Sequence, residues 1–268
     1  MAKNILFWVL SLLIMLGLAI YQRTTGPTYP KTGSFKIEGQ KIKYKLIRSW
    51  GENSDAVVKI VVPNANVSGF MKFRRHPSYD DWSSKELIRS KDTLIAVIPQ
   101  QPPAGKIMYQ IFLNDDKGNE YKIPPDKPVI IRFKGSVPDF VLIPHIFFMF
   151  FSMVFGIRVF FEALVQKKDV YKLSIWTFVL LFIGGAILGP IVQHYAFGVY
   201  WSGWPFGHDL TDNKTLISLI FWLIAIWRLK KNPTDYKWAI IASIIMVAVY
   251  LIPHSVLGSE IDYTKIPK

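Results

Sequence analysis

The run FVLIPHIFFMFFSMVFGIRVFFEALV, residues 140–165, is apolar apart from one serine and three ionisable side chains, His145, Arg158 and Glu162. An α-helix rises about 1.5 Å per residue, so about 20 apolar residues cross the roughly 30 Å of hydrocarbon in a bilayer. This run is long enough and therefore predicts a membrane-spanning helix.

Four further apolar segments predict spans of the same kind: Ile5–Ile20, Leu173–His194, Leu216–Trp227 and Trp238–Pro253. The third of these is short and must recruit flanking residues to cross. Together the five segments predict an N-terminal anchor over residues 1–22 and a domain of four transmembrane helices over residues 138–268.

The first segment resembles a cleaved signal peptide in its basic start at Lys3 and its apolar core. A signal peptide normally ends at a pair of small residues around the cleavage site. Here the bulky side chains of Ile20, Tyr21 and Gln22 lead directly into Arg23. The pattern favours a retained anchor over a removed leader.

Charges in the short loops predict the orientation, since lysine and arginine concentrate on the cytoplasmic side. Eight basic residues share one side of this topology: Lys3, Lys167, Lys168, Lys172, Arg228, Lys230, Lys231 and Lys237. The opposite side of the bundle has three: Lys214, Lys265 and Lys268. We expect a cytoplasmic N-terminus, with residues 22–138 and the C-terminus outside.

Between the anchor and the second span, apolar and polar residues alternate with a period of two, as in half-buried strands. The runs are 34–37, 41–46, 57–62, 67–73, 93–98, 107–113 and 129–133, separated by turn-forming Pro, Gly and Asn residues. About seven short strands at this spacing predict an all-β sandwich of immunoglobulin or fibronectin-III type over residues 31–135.

Composition excludes several classes of site. The chain has no cysteine, which excludes disulfides, thiolate metal sites, Fe–S clusters and cysteine nucleophiles. Its net charge of +13 is spread along the strand pattern and around the apolar runs. Membrane orientation and contact with anionic lipid explain this distribution of charge better than a nucleic-acid groove does. We therefore expect the lipid bilayer as a partner and no nucleic acid.

The polar segment Arg74-Arg75-His76-Pro77-Ser78-Tyr79-Asp80-Asp81-Trp82 lies between two predicted strands. A solvated loop is one interpretation. The other is a contact surface, because basic, aromatic and acidic side chains together suit recognition of a protein or a glycan.

The predicted orientation gathers six candidate ligands near the outer membrane boundary: His145, His194, His208, His254, Asp209 and Asp212. Imidazole and carboxylate are the usual ligands of a divalent metal where cysteine is missing, and two facing histidines can hold haem. The sequence Leu-Ile-Pro-His ends at both His145 and His254, and a helical proline leaves nearby backbone carbonyls unpaired. These residues predict a metal or haem site without identifying the ion.

The same residues have a structural interpretation. Histidine is tolerated where a membrane meets water, and Asp209, Asp212 and Asn213 are common residues at the N-terminal cap and first turn of a helix. Tyr and Trp residues in the 195–206 segment are typical of an interfacial aromatic belt. Arg158 and Glu162, one turn apart, predict an ion pair whose head groups reach water at the inner surface.

Four stretches are similar to a family of bacterial inner-membrane proteins that have a periplasmic β domain and no assigned activity. They are Tyr21–Pro30 (YQRTTGPTYP), Pro102–Lys106 (PPAGK), Gly203–Thr215 (GWPFGHDLTDNKT) and Ile252–Ser255 (IPHS). The resemblance implies a periplasmic location for the external domain. It implies no catalytic residue.

Two functions follow as hypotheses. The first is a membrane protein with a metal or haem site at the outer face of its bundle, able to support metal-assisted hydrolysis or electron transfer. The second is a non-catalytic scaffold that recruits a periplasmic or membrane protein through its β domain. Transport is a weaker third, because few polar groups lie at mid-membrane.

Overall fold

The computed structural model describes residues 2–254 and 258–265. The chain divides into two compact units, one helical and one built of strands. The helical unit comprises Met1–Pro27, Val137–Tyr195 and Val199–Ser259, and the β unit comprises Thr28–Ser136, Ala196–Gly198 and Glu260–Lys268. The predicted combination of a helical bundle with a separate β domain is confirmed.

Six α-helices form the first unit: α1 (Ala2–Thr25), α2 (Asp139–Phe161), α3 (Val170–Leu181), α4 (Gly189–Phe197), α5 (Leu210–Lys231) and α6 (Lys237–Leu251). Two π-helical segments extend them. Glu162–Gln166 continues α2, and Phe182–Leu188 joins α3 to α4 into one helix. The described residues thus form five apolar helical rods, where five apolar segments were predicted.

Four of these rods are long and apolar enough to cross a membrane: Lys3–Thr25, Asp139–Gln166, Val170–Phe197 and Leu210–Lys231. These four helices fit a membrane protein. The fifth, α6, has 15 residues, and at about 1.5 Å per residue it is shorter than the roughly 30 Å of hydrocarbon. Its complete crossing stays a prediction.

Small residues let the helices approach closely. A side chain at Gly156 of α2 would meet Met246 Sδ at 2.7 Å, and the Gly156 carbonyl accepts a hydrogen bond from Ser243 Oγ of α6 at 2.9 Å. A side chain at Gly185 would meet Thr215 of α5 at 2.5 Å. Packing of this type replaces the hydrophobic driving force that is missing between helices in lipid.

The N-terminal helix α1 packs onto the bundle along its length. The ring of Phe7 stacks on Phe161 at 5.2 Å, and Trp8 meets Phe155 edge-on at 4.9 Å. Near its other end, Gln22 donates a hydrogen bond to the Tyr250 carbonyl at 2.9 Å. Helix α1 is therefore a packed member of the helical unit as well as a tether.

Arg158 and Glu162 form the predicted ion pair, with N and O atoms 2.7 Å apart, but their side chains are only 3% and 1% exposed. The expectation that the head groups reach water is wrong, because α1 covers them. Asn4 accepts a hydrogen bond from Arg158 at 2.7 Å. Glu162 accepts the backbone N–H groups of Lys168 and Asp169, so it also holds the turn into α3.

The β unit has eleven strands within its described residues: β1 (Lys31–Ile37), β2 (Gln40–Leu46), β3 (Ser49–Trp50), β4 (Ala56–Val61), β5 (Ser68–Arg75), β6 (Ser83–Glu86), β7 (Ile88–Ser90), β8 (Thr93–Ile98), β9 (Lys106–Asn114), β10 (Glu120–Ile123) and β11 (Val129–Phe133). They form three sheets, ordered β1-β2, β4-β8-β7 and β3-β11-β9-β5-β6, with β10 also paired to β9.

All three sheets contribute side chains to one apolar core that includes Leu46, Ile60 and Tyr109. The seven predicted strands are confirmed. The four additional strands, β3, β6, β7 and β10, are short, and β6 is exposed at every position, so periodicity gave no signal for them. The immunoglobulin or fibronectin-III assignment stays a prediction.

The end of the chain returns to the β unit. The N–H of Ile261 donates to the Ala104 carbonyl at 3.2 Å, and the N–H of Tyr263 donates to the Pro77 carbonyl at 3.1 Å. Glu260 forms an ion pair with Lys106. These bonds hold the tail against the loop that follows β5 and against the loop that leads into β9.

Gly33 on β1 lies opposite Tyr44 on β2, and a side chain there would overlap the buried Tyr44 ring. We expect Gly33→Ala to destabilise the β unit by about 1–3 kcal/mol, the usual effect of overpacking a core. Chemical unfolding of the full-length protein in detergent, followed by tyrosine and tryptophan fluorescence, measures the change.

The matched control is Ser34→Ala, because Ser34 is the next residue on β1 and is exposed. It should change the free energy of unfolding by less than about 0.5 kcal/mol. Equal stability of the two variants would contradict this account of the hairpin packing.

Candidate functional site

The six predicted ligands all belong to the helical unit. His145 lies on α2 and His194 on α4, whereas His208 and His254 lie in exposed segments outside the helices. Asp209 and Asp212 lie at the start of α5. Within residues 2–254 and 258–265, no three His, Asp or Glu side chains are placed to hold a common metal ion.

Asp212 is the centre of a hydrogen-bonded cluster. Its Oδ2 atom accepts the backbone N–H groups of Ser202 at 2.6 Å and Gly203 at 3.0 Å. The same atom accepts Nε2–H of Gln193 on α4 at 3.2 Å. A carboxylate with several N–H donors is strongly held and is a costly group to remove.

Asp209 extends the cluster to the chain beyond α6. Its Oδ1 atom accepts the Thr211 N–H at 2.8 Å, the ordinary bond of a helix N-cap. Its Oδ2 atom accepts the Ser259 N–H at 2.9 Å. The hydroxyls of Ser259 and Ser202 are 2.7 Å apart and join the two carboxylates.

We call Gln193, Ser202, Asp209, Asp212 and Ser259 the carboxylate cluster. It ties the end of α4, the loop before α5, the start of α5 and the segment after α6 into one network. The helix-cap interpretation of Asp209 is confirmed. The sequence did not predict the cluster, because its other members are two serines and a glutamine from distant segments. The one sequence signal was Gln193 itself, since a polar amide inside an apolar helix needs a hydrogen-bond partner.

Lys214, counted from sequence as a loop charge, is a helical residue with a buried side chain. Its Nζ atom donates to the Ile252 carbonyl at 2.6 Å. Ile252 is the C-cap of α6, where backbone carbonyls lack helical partners. The ammonium group therefore closes the end of a neighbouring helix.

His145 has a defined tautomer. Its Nδ1 atom lies 2.9 Å from the Gly184 carbonyl in the π-helical segment. A carbonyl can only accept, so Nδ1 carries the proton of this bond, and in the neutral ring Nε2 has a lone pair. The Gly184 carbonyl also accepts the Gly189 N–H across the widened turn that precedes Pro190. This widened turn precedes Pro190, whereas Pro144, the proline next to His145, lies within the regular α-helix α2.

The other three histidines have separate surroundings. His194 stacks face to face on Tyr200, with ring centroids 4.1 Å apart. The His254 ring meets Tyr250 edge-on at 6.1 Å. His208 is exposed and makes no hydrogen bond or ring contact with the described residues. A common metal or haem site for the four stays a prediction.

The segment 74–82 of the β unit, which we call the Arg75 loop, is held by charged side chains. Arg75 Nε and Nη2 donate to the two carboxylate oxygens of Asp80 at 2.6 and 2.9 Å. The Arg75 guanidinium lies over the Tyr263 ring at 4.8 Å, and the Arg74 guanidinium lies over Trp82 at 4.9 Å. The hydrogen bonds from Arg75 hold the pKa of Asp80 below its usual value.

This loop leaves two large aromatic side chains in solvent. Tyr79 is 79% exposed and Trp82 is 40% exposed. His76 is half-buried beside Lys106, and its burial lowers its pKa below the usual value, so the ring is neutral at pH 7. The loop therefore presents apolar area on a backbone that is already ordered.

A groove of about 600 Å³ between α1 and α2 is lined by apolar side chains, among them Trp8, Leu12, Ile143 and Phe147. It contains no acid, base or nucleophile.

Comparison with protein-family models gave no match, and a search of curated proteins found none that matches this chain.

We expect Asp212→Ala to lower the stability of the helical unit by more than about 2 kcal/mol. The change leaves the backbone N–H groups of Ser202 and Gly203 without an acceptor, and each orphaned buried group costs about 1–3 kcal/mol. Hydrogen exchange across residues 199–209 of the detergent-purified protein should rise.

Asp169→Ala is the matched control, since Asp169 is exposed and its side chain makes no cap hydrogen bond. Exchange in the 199–209 segment should be the same in this variant as in the wild type. A normal exchange pattern in Asp212→Ala would show that the cluster has no structural role.

Proposed function

We propose that the protein is a non-catalytic membrane scaffold that binds a protein partner through the Arg75 loop of its β unit. One observation carries the proposal: Tyr79 and Trp82 are exposed on a loop that the Arg75–Asp80 ion pair already holds in place. Aromatic residues supply much of the binding energy at protein interfaces, and an ordered loop loses little entropy on binding.

The carboxylate cluster supports the non-catalytic part of the proposal. Asp212 and Asp209 accept hydrogen bonds from backbone and side-chain donors within the protein. A carboxylate used in this way is a poor general base, because a reacting group would have to displace these donors first. The cluster is then a structural tie between segments of the helical unit.

The location is part of the same proposal. The loop charges favour a cytoplasmic N-terminus and a β unit outside the membrane. The resemblance to bacterial inner-membrane proteins would make that outer side the periplasm. The contacts of α1 support its retention as an anchor. Removing it would take Asn4 away from the buried Arg158 guanidinium, and a buried charge that loses a partner is destabilising.

The double substitution Tyr79→Ser and Trp82→Ser tests partner binding. A photoreactive residue at Ser78 in the full-length protein should give a discrete cross-linked adduct in cells that express it. Hot-spot side chains each contribute about 2 kcal/mol or more, so the double variant should lose the adduct at least about tenfold.

The control is Val61→Ser with Ile88→Ser, which removes comparable exposed apolar area elsewhere on the β unit. This variant should keep the adduct. Equal losses in both variants, or the same broad mixture of adducts from each, would refute recognition through the Arg75 loop.

A metal or haem site is the second candidate function. It is favoured by His145, whose Nδ1–H is fixed by the Gly184 carbonyl. Histidines that ligate metals commonly donate their second N–H to a backbone carbonyl in this way. His254, at the end of the repeated Leu-Ile-Pro-His sequence, would be the companion ligand.

Metal analysis and a visible spectrum of the detergent-purified protein test this candidate. It predicts a stoichiometric metal, or a haem Soret band, that is lost in His145→Ala and retained in His208→Ala, a substitution of an exposed residue. Protein that carries neither metal nor haem after purification from metal- and haem-replete cells would eliminate the candidate.

A further inference from the structure

The hairpin of β1 and β2 has one buried and one exposed face. Ile42, Tyr44 and Leu46 alternate into the core of the β unit. The residues between them point outward and pair across the hairpin with the exposed positions of β1: Lys36 with Lys41, Ser34 with Lys43, and Thr32 with Lys45. We call Lys36, Lys41, Lys43 and Lys45 the lysine face.

The lysine face has no compensating acid. Its remaining cross-strand positions are Ser34 and Thr32, and none of the four lysines makes a hydrogen bond or ion pair with the described residues. Two other lysines of the unit do pair with acids: Lys31 with Asp126, and Lys117 with Glu38.

This arrangement works against local stability. Lys36 and Lys41 are directly opposite each other, and like charges at opposed positions destabilise a sheet. A lysine on an edge strand hinders unwanted strand pairing, but β2 alone has three in strict alternation. Residues that oppose local stability in this way are expected at functional sites.

The hairpin is tethered close to a membrane-spanning helix. Helix α1 ends at Thr25 and β1 begins at Lys31, so five residues connect them. An extended chain covers at most about 3.6 Å per residue, which keeps the first residue of β1 within roughly 20 Å of the helix end. A bilayer crossed by α1 would place its lipid headgroups within that distance.

We propose that the lysine face binds the anionic phospholipid headgroups of the bilayer that holds α1. Its charge complements such a surface, and the short tether gives the headgroups a high local concentration. Lysines near an anionic membrane surface each strengthen binding about fivefold, and the effect falls off within a Debye length of about 10 Å at 0.1 M salt. The site is separate from the Arg75 loop, so the proposal does not depend on partner binding.

The chain lacks cysteine, so Ser34→Cys gives the full-length protein a single labelling position on the lysine face. We would attach an environment-sensitive fluorophore there and reconstitute the protein in nanodiscs. One set contains phosphatidylcholine alone, and the other has about one third of it replaced by phosphatidylglycerol. Headgroup-labelled acceptor lipids then report proximity by energy transfer.

We expect a shifted emission only in the anionic nanodiscs, together with stronger energy transfer than in phosphatidylcholine alone. Both differences should weaken when the salt rises from about 0.1 M to about 1 M. Replacing Lys36, Lys41, Lys43 and Lys45 together by glutamine should reduce the ratio of docked to undocked hairpin by at least about tenfold. It should leave the thermal midpoint unchanged or slightly higher, since it removes the opposed charges.

The matched control replaces four other exposed lysines of the β unit, Lys59, Lys85, Lys122 and Lys127, by glutamine. It lowers the net charge equally and should keep the docking signal. Equal loss in both variants would assign the effect to net charge and overturn the proposal. Equal signals in the two lipid compositions would also overturn the proposal.

The Tyr79→Ser and Trp82→Ser variant separates the two proposals. Lipid docking of the hairpin should persist in it even though the partner adduct is lost. Loss of docking in that variant would contradict an independent lipid-binding face.

Discussion

The rule that a polar group away from water must find a partner shapes the helical unit of this protein. In hydrocarbon an unpaired polar group costs several kcal/mol, and several ionisable side chains of the apolar helices have partners within the protein. Arg158 binds both Glu162 and Asn4, and Glu162 also accepts two backbone N–H groups at the turn into α3. Asp212 accepts the backbone N–H groups of Ser202 and Gly203. Each of these polar side chains thereby fixes the position of one segment relative to another, because hydrogen bonds are directional and apolar packing is not.

That pairing changes the meaning of the candidate site. A predicted topology gives the depth of each residue in the membrane but not its position around the bundle. The histidines and acids were therefore grouped because they are predicted to lie at one depth. The acids bond to serines, a glutamine and backbone N–H groups, whereas His194 stacks on Tyr200 and His145 bonds to Gly184. Residues at one depth around a bundle can still point in different directions. Exposed aromatic and basic side chains also lie on the β unit, in the Arg75 loop and on the lysine face.

Local patterns predicted the larger elements well. The period of two in Lys41–Leu46 marks β2 because alternate residues must enter the core, and the same reasoning found six other strands. It missed β6, because all four residues of that strand are exposed. It also missed both π-helical segments, because a wider helical turn needs no change in composition. It also placed Arg158 in water, because a pattern along α2 contains no information about α1 covering it.

The sequence by itself determined where apolar helices lie, where alternating strands lie, that lysines dominate one face of the first hairpin, and that cysteine chemistry is excluded. These properties depend on residues close together in the chain, for which hydrophobic periodicity is a sufficient signal. Only the tertiary structure decided the partners of the polar residues. His145 and Gly184 are 39 positions apart, Asp209 and Ser259 are 50 apart, and Asn4 and Arg158 are 154 apart. Hydrogen bonds act over about 3 Å, so such partners are set by how the helices and loops pack and not by any spacing along the chain.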